Sequence, residues 1–401
     1  MTDMRTGPLA DVRVVELGQL LAGPYCGQLL ADYGAEVIKV EDPAKGDPMR
    51  QWGREKSHGQ SLWWPIVARN KKCVTADLRT PEGQQIVREL VASADVLLEN
   101  FRPGTLERWG LDYASLAELN PGLILVRVSG YGQTGPYAPR PGYASIGEAM
   151  GGLRHVVGDP DRPASRAGIS LGDSLAATFA TLGALSALHH RDRTGRGQVV
   201  DASIYESVFA YMESLVPEWV LGGYQRERTG AVLPNVSPSN VYVTKDGEGV
   251  LIAANMDSVF RRLAAAMDKP ELADDARYAT HSARGAQSDE LDEMINAWSA
   301  TWSAEALLEH LVAHAVPSGR IYKAKDMLSD PQYVARESII QVEHPELGTF
   351  PMQNIFPRLS ETPGEVRWAG PDLGAHNDEV LRGLLGYDDA KLADLSARHI
   401  I

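Results

Sequence analysis

Val12-Arg13-Val14-Val15-Glu16-Leu17 and Glu36-Val37-Ile38-Lys39-Val40-Glu41, with a helical segment from about Pro24 to Tyr33 between them, decide how this chain is read. Each apolar run has the length of a strand, and the stretch between them is long enough for a crossover helix. Together they make a βαβ unit. Working outward, Thr80-Pro81-Glu82 has the form of a helix start, with Thr as N-cap and Pro in the first helical position. Further strand-like runs follow at Asp95-Val96-Leu97-Leu98 and Leu123-Ile124-Leu125-Val126-Arg127-Val128. Strands that alternate with helices imply an α/β fold with a mostly parallel sheet, whose ligands sit beyond the carboxyl ends of the strands. The segments expected there are Gly18–Pro24, Glu99–Gly104 and Ser129–Gly135.

From Asp173 to His190 the pattern predicts a helix that is apolar on most sides and therefore buried. After about Leu221 the texture changes. Val241–Thr244 and Val250–Ala253 flank Asp246-Gly247, a hairpin signature, and amphipathic helices follow near 258–267, 290–298 and 304–313. The expected organisation is a large domain over 1–224, a smaller α+β domain over 225–325, and a segment 326–401 that returns to the large one. That last segment carries a hairpin near 339–351 and a helix near 377–385.

The chain has 401 residues with 39 Lys and Arg against 53 Asp and Glu, a net charge of −14. This is not the basic footprint of a nucleic-acid binder, and it repels anionic membranes at long range. An anionic ligand must be met by a local positive cluster. Cys26 and Cys73 give neither a disulfide framework nor metal-ligand spacing, so a reducing cytoplasm and no metal are expected. Met1 to Asp11 lacks the apolar core of a signal peptide, and no membrane partner is expected.

Gly18, Gly23 and Gly27 follow the first strand, but not as G-x-G-x-x-G, which argues against a dinucleotide enzyme. The run Arg69-Asn70-Lys71-Lys72, with Arg102 and Arg108, is either a phosphate-holding cluster or a solvated face. Gly168-Ile169-Ser170-Leu171-Gly172-Asp173-Ser174 leads into the apolar helix. There Asp173 reads as an N-cap, as a nucleophile, or as both, since a carboxylate needs no partner base to be ionised near neutral pH. His155, Glu148 and Arg166 could line a substrate pocket, but the plainer reading makes each of them structural or exposed.

Gly168–Ser174, followed by His190-Arg191-Asp192-Arg193-Thr194-Gly195-Arg196-Gly197-Gln198-Val199-Val200-Asp201-Ala202-Ser203, resembles the family III CoA-transferases. This family includes formyl-CoA transferase and the alpha-methylacyl-CoA racemases. Leu21-Ala22-Gly23-Pro24, Glu99-Asn100-Phe101-Arg102-Pro103-Gly104, Gly130–Pro136 and Leu373-Gly374-Ala375-His376 carry the resemblance along the chain. It implies a Rossmann-like large domain, a smaller domain, and a homodimer whose two chains interlock. It further implies Asp173 as the nucleophile that passes through an aspartyl-CoA thioester, with Gly172 leaving room for the thioester. The implied CoA site is Lys71, Asn100, Phe101, Arg108 and Tyr131, with CoA as cosubstrate and small carboxylates as the other partners. After Gly142 this chain has Tyr143-Ala144 where the racemases carry His-Asp, which disfavours racemisation. The stretch Gly230–Pro238 lacks the glycine run of formyl-CoA transferase, which turns the substrate expectation toward succinyl-CoA and small dicarboxylates. A CoA-binding protein without turnover is the reading from another functional class.

Overall fold

The computed structural model describes residues 6–401. The chain divides into two compact units, one formed by the chain up to Leu153 with Ala167–Ser214 and Val334–Ile401, the other by Arg154–Arg166 and Leu215–Tyr333.

The first unit is built on β1 (Arg13–Glu16), β2 (Glu36–Glu41), β3 (Lys71–Thr75), β4 (Val96–Glu99), β5 (Ile124–Ser129) and β6 (Val199–Ser203). All pair in parallel, in the order β3-β2-β1-β4-β5-β6. That order is the one of the doubly wound nucleotide-binding sheets. Both faces are covered, so the strands read as continuous apolar runs rather than alternating ones. Val15, Leu17, Ile38, Val40, Val74, Leu97 and Leu125 pack one face, joined by Ile86, Val87 and Leu90 of α2 (Pro81–Val91). Val14, Val37, Val96, Leu98, Ile124, Val126 and Val128 pack the other, beneath α1 (Ala22–Asp32). As Thr80-Pro81-Glu82 predicts, Thr80 caps α2, its Oγ1 accepting from Gly83 N at 3.1 Å.

β3 and β6 do not register as apolar runs in the sequence. β3 reads Lys-Lys-Cys-Val-Thr, and its lysines enter a sheet because partners elsewhere in the chain neutralise them. Lys72 Nζ donates to Glu36 Oε1 at 2.8 Å, while Arg13 Nε donates to Glu36 Oε2 at 2.6 Å, so one carboxylate ties β1, β2 and β3. Burial alone would raise the Glu36 carboxyl, but the hydrogen bonds from Lys72 and Arg13 outweigh it and hold it at about 2. A depressed carboxyl stabilises the fold above its unfolded value and loses that contribution as pH falls toward 2. Glu36→Gln is therefore expected to lower stability at pH 7 by roughly 1–2 kcal/mol, allowing for solvent screening of the pair. Between about pH 4.5 and 2 the gap to wild type should narrow and then close, as urea titrations at several pH values will show; a gap independent of pH contradicts the assignment.

After β5 come α3 (Ala144–Met150), α4 (Leu171–Thr194) and α5 (Ile204–Phe209). By length and composition α4 could cross a bilayer. It is instead a core helix that lays Ala176, Ala177, Ala180, Ala184, Ala187 and Leu188 against the sheet. Burial on most sides does not hold, since Leu182 is 59% and Leu185 40% exposed. The hairpin expected near 339–351 is Ile339–His344 with Gly348–Gln353. The expected helix near 377–385 is Asp378–Leu384, wound as a π-helix.

The second unit carries a three-stranded antiparallel sheet in which Gly249–Ala253 lies between Ser239–Val243 and Ser318–Arg320. Tyr242, Ile252, Phe260, Leu263, Leu291 and Leu307 form its core. Residues 154–166, assigned by sequence to the large domain, belong to this unit, and His155 and Arg166 with them.

Candidate active site

The strand order reverses between β1 and β4, the place where ligands of such sheets bind. Gln19 follows β1 and Asn100 follows β4. Gln19 N donates to Asn100 Oδ1 at 2.8 Å, and Asn100 Nδ2 donates to Gln19 O at 2.8 Å. The Asn100 amide is thus committed to the neighbouring backbone. The glycines of this segment serve that closeness. A Cβ on Gly18 or Gly23 would stand 3.2–3.3 Å from Asn100 atoms, and one on Gly27 only 1.8 Å from Glu16 Oε2.

Beside the reversal point lies a cavity of about 170 Å³ whose walls include Gln19, Asp42, Leu78, Arg79, Phe101 and Trp109. Phe101 meets Trp109 edge to face at 5.2 Å. Arg79, largely exposed, reaches Asp77 at 2.7 Å and Asp42 at 3.1 Å. An aromatic wall beside an exposed guanidinium suits a planar base linked to phosphates. Gln19, Arg79 and Trp109 were not singled out from the sequence. Arg79 stands apart from the Arg69–Lys72 run, and Trp109 reads as a core residue.

Of the five residues expected around CoA, Phe101 lines this cavity. Arg108 is exposed nearby, with Nη2 3.0 Å from Thr105 Oγ1, and Tyr131 stacks edgewise on Tyr137 at 5.8 Å. Lys71 is misplaced by the sequence reading. It is completely buried, and its Nζ donates to Glu16 Oε2 at 2.8 Å and to Pro24 O at 2.6 Å, out of reach of any phosphate. Its neighbours are also paired, Arg69 with the buried Asp32 at 2.6 Å and the half-buried Lys72 with Glu36 and Glu379. The charges of the run are taken up in ion pairs, those of Arg69 and Lys71 buried and that of Lys72 half-buried.

Glu99 closes β4 next to Asn100. Burial pushes its carboxyl up to about 7, against the opposing pull of Arg127, whose Nε lies 2.7 Å away. Phe101 N donates to the same carboxyl at 2.7 Å, which fixes the backbone that carries the ring.

Asp173 lies half-buried in the first turn of α4 and is not its cap, a position taken by Ser170. Ser170 makes no side-chain capping bond. Glu148, fully buried in α3, supplies the missing acceptor, its Oε1 taking Gly172 N at 3.2 Å. Glu148 thus holds the start of α4. A Cβ on Gly172 would stand 3.1 Å from Glu148 and 3.2 Å from Ile204, so this glycine permits helix contact and does not leave space for a ligand. On the outer side, a mostly apolar cavity of about 390 Å³ takes in Leu21, Tyr25, Trp63, Ile169, Ser170 and Ser174. It joins the loop after β1 to the turn that carries Asp173. Asp173 itself is not in the cavity wall, but Ser170 and Ser174 on either side of it are, and an ionised carboxylate in this turn can attack an activated acyl group brought to it.

The model of CoA-transferase family III matches residues 9–377. The chain is 61% identical to the succinyl-CoA–D-citramalate CoA-transferase of Chloroflexus aurantiacus, over 98% of both chains. It is 41% identical to the beta subunit of the succinyl-CoA–L-malate CoA-transferase of the same organism, over 99% of this chain and 98% of that one. Among solved structures, a CAIB/BAIF family protein from Brucella suis superposes with a TM-score of 0.84 at 35% identity, covering 95% of this chain and all of the other.

Proposed function

Because the chain belongs to CoA-transferase family III, we propose that it moves CoA from succinyl-CoA to a small hydroxylated dicarboxylic acid of the citramalate and malate type, with Asp173 as nucleophile. The observation that carries the reading is the placement of Asp173 in the first turn of α4, between Ser170 and Ser174, which line a cavity shared with Leu21 and Tyr25. The Asp173 carboxylate attacks the thioester carbonyl and expels CoA thiolate, leaving a mixed anhydride. The thiolate attacks the aspartyl carbonyl, so that succinate leaves and an aspartyl-CoA thioester remains. The acceptor carboxylate then displaces the thiolate, and thiolate attack on the new anhydride gives the new acyl-CoA and restores Asp173.

Phe101 and Trp109 are suited to pack the CoA base, with Arg79 and Arg108 toward its phosphates and Tyr131 on the next loop. The homodimer belongs to the same reading, and apolar side chains left exposed on the first unit support it, Leu182, Leu185 and Phe209 among them. Two free, buried thiols, Cys26 and Cys73, support a reducing, cytoplasmic setting.

A panel of acceptor acids offered with succinyl-CoA, read by the mass of the new thioester, tests the substrate. Citramalate and malate are expected to be converted at least about tenfold faster than monocarboxylates of similar size, because a site that pairs a second carboxylate rejects an acid that lacks it. Equal rates with acetate or formate would contradict the dicarboxylate reading.

A further inference from the structure

Three consecutive residues at the reversal point have backbone groups held from below. Gly18 O accepts from Lys39 Nζ at 2.7 Å. Gln19 is latched on both sides by Asn100. Leu20 N donates to Asp47 Oδ1 at 3.0 Å, with Leu20 held at φ +63°, a backbone conformation a leucine adopts only under constraint. Lys39 and Asp47 are themselves paired at 2.8 Å, and both are almost wholly buried. Lys39 also reaches Glu16 Oε1 at 3.0 Å, so the pair is anchored to the end of β1. Gln19 alone of the three is exposed, and it lines the cavity next to Phe101 and Trp109.

A buried lysine on β2 and a buried aspartate in the loop that follows it cost desolvation that a pair of apolar residues would avoid. We propose that Lys39 and Asp47 are positioning residues for the transfer reaction, a brace that fixes the Gly18–Leu20 backbone so that Gln19 meets the CoA ester in one orientation. This rests on the transferase reading given above. The brace touches neither substrate; it acts through the main chain.

The test is a charge-neutral double substitution, Lys39→Met with Asp47→Leu. It leaves Glu16 with Lys71 and Glu41 with Arg50, so no buried charge is stranded. The two half-reactions have separate KM values, which makes the readout specific. The expected result is a KM for succinyl-CoA raised roughly ten- to a hundredfold, with the KM for the acceptor acid unchanged. A purely structural role lowers the amount of active protein and leaves both KM values alone. A folded double variant with wild-type KM for succinyl-CoA overturns the proposal.

Hydrogen exchange on the wild-type protein serves where that variant does not fold. The Gln19 and Leu20 amides, although in a loop, are expected to exchange at least about a hundredfold more slowly than exposed backbone, and rapid exchange there overturns the brace. Absence of any hydroxylamine adduct at Asp173 in wild type would instead remove the transferase mechanism, and amide exchange would still report on the brace by itself.

Discussion

Asp173→Asn is expected to lower CoA exchange between acids by about 10⁴-fold or more while the protein stays folded. The substitution keeps the shape of the side chain but replaces an anionic oxygen nucleophile with an amide, which cannot form the mixed anhydride. Its structural consequence is small. Asp173 is in the first turn of α4, where a negative charge favours the helix by about 0.3–1 kcal/mol, and the capping bond to Gly172 comes from Glu148. The thermal midpoint should therefore move by a few degrees at most, so loss of turnover cannot be traced to unfolding. Mass spectrometry of wild type incubated with succinyl-CoA and hydroxylamine should find a hydroxamate on Asp173, and none on the variant. Residual transfer within tenfold of wild type in both Asp173→Asn and Asp173→Ala would move the nucleophile elsewhere.

Lys71→Met should act in the opposite way, with a large effect on stability and a small one on ligand recognition. Lys71 and Glu16 are both fully buried, and Lys71 donates to both Glu16 oxygens, at 2.8 and 3.0 Å. With the lysine gone, Lys39 is shared between Glu16 and Asp47, so one buried carboxylate loses its counter-charge, at a cost of about 3–5 kcal/mol. A fall of that size in the urea unfolding free energy is the expected measurement. Glu16→Gln combined with Lys71→Met should recover a large part of it, because the stranded charge is then removed as well. Were Lys71 a phosphate ligand, the single variant would keep its stability and raise the KM for succinyl-CoA, and that pattern would refute the buried assignment.

These two residues mark where the sequence was legible. Asp173 stands in a local motif, Gly-Asp-Ser at the head of an apolar helix, and its place in the first turn of that helix can be read from neighbours in the chain. Lys71 stands in a run of positive charge, and what it does depends on Glu16, 55 residues away. Counting charges along the chain cannot distinguish a lysine that faces solvent from one neutralised inside a sheet. The same blindness hid β3, whose first residues are those lysines.

The sequence by itself determined the α/β class, four of the six parallel strands, the capped helix at Thr80, the family, and the aspartate at the head of α4. Each of these rests on interactions between near neighbours, whose signature is a period or a short motif. Only the tertiary structure decided which strand ends adjoin at the reversal point, that Arg79 and Trp109 share a cavity with Phe101, and that Lys39, Lys71 and Glu148 face inward. Those facts depend on pairings between distant segments, and burial and counter-charge exist only once the sheet has closed.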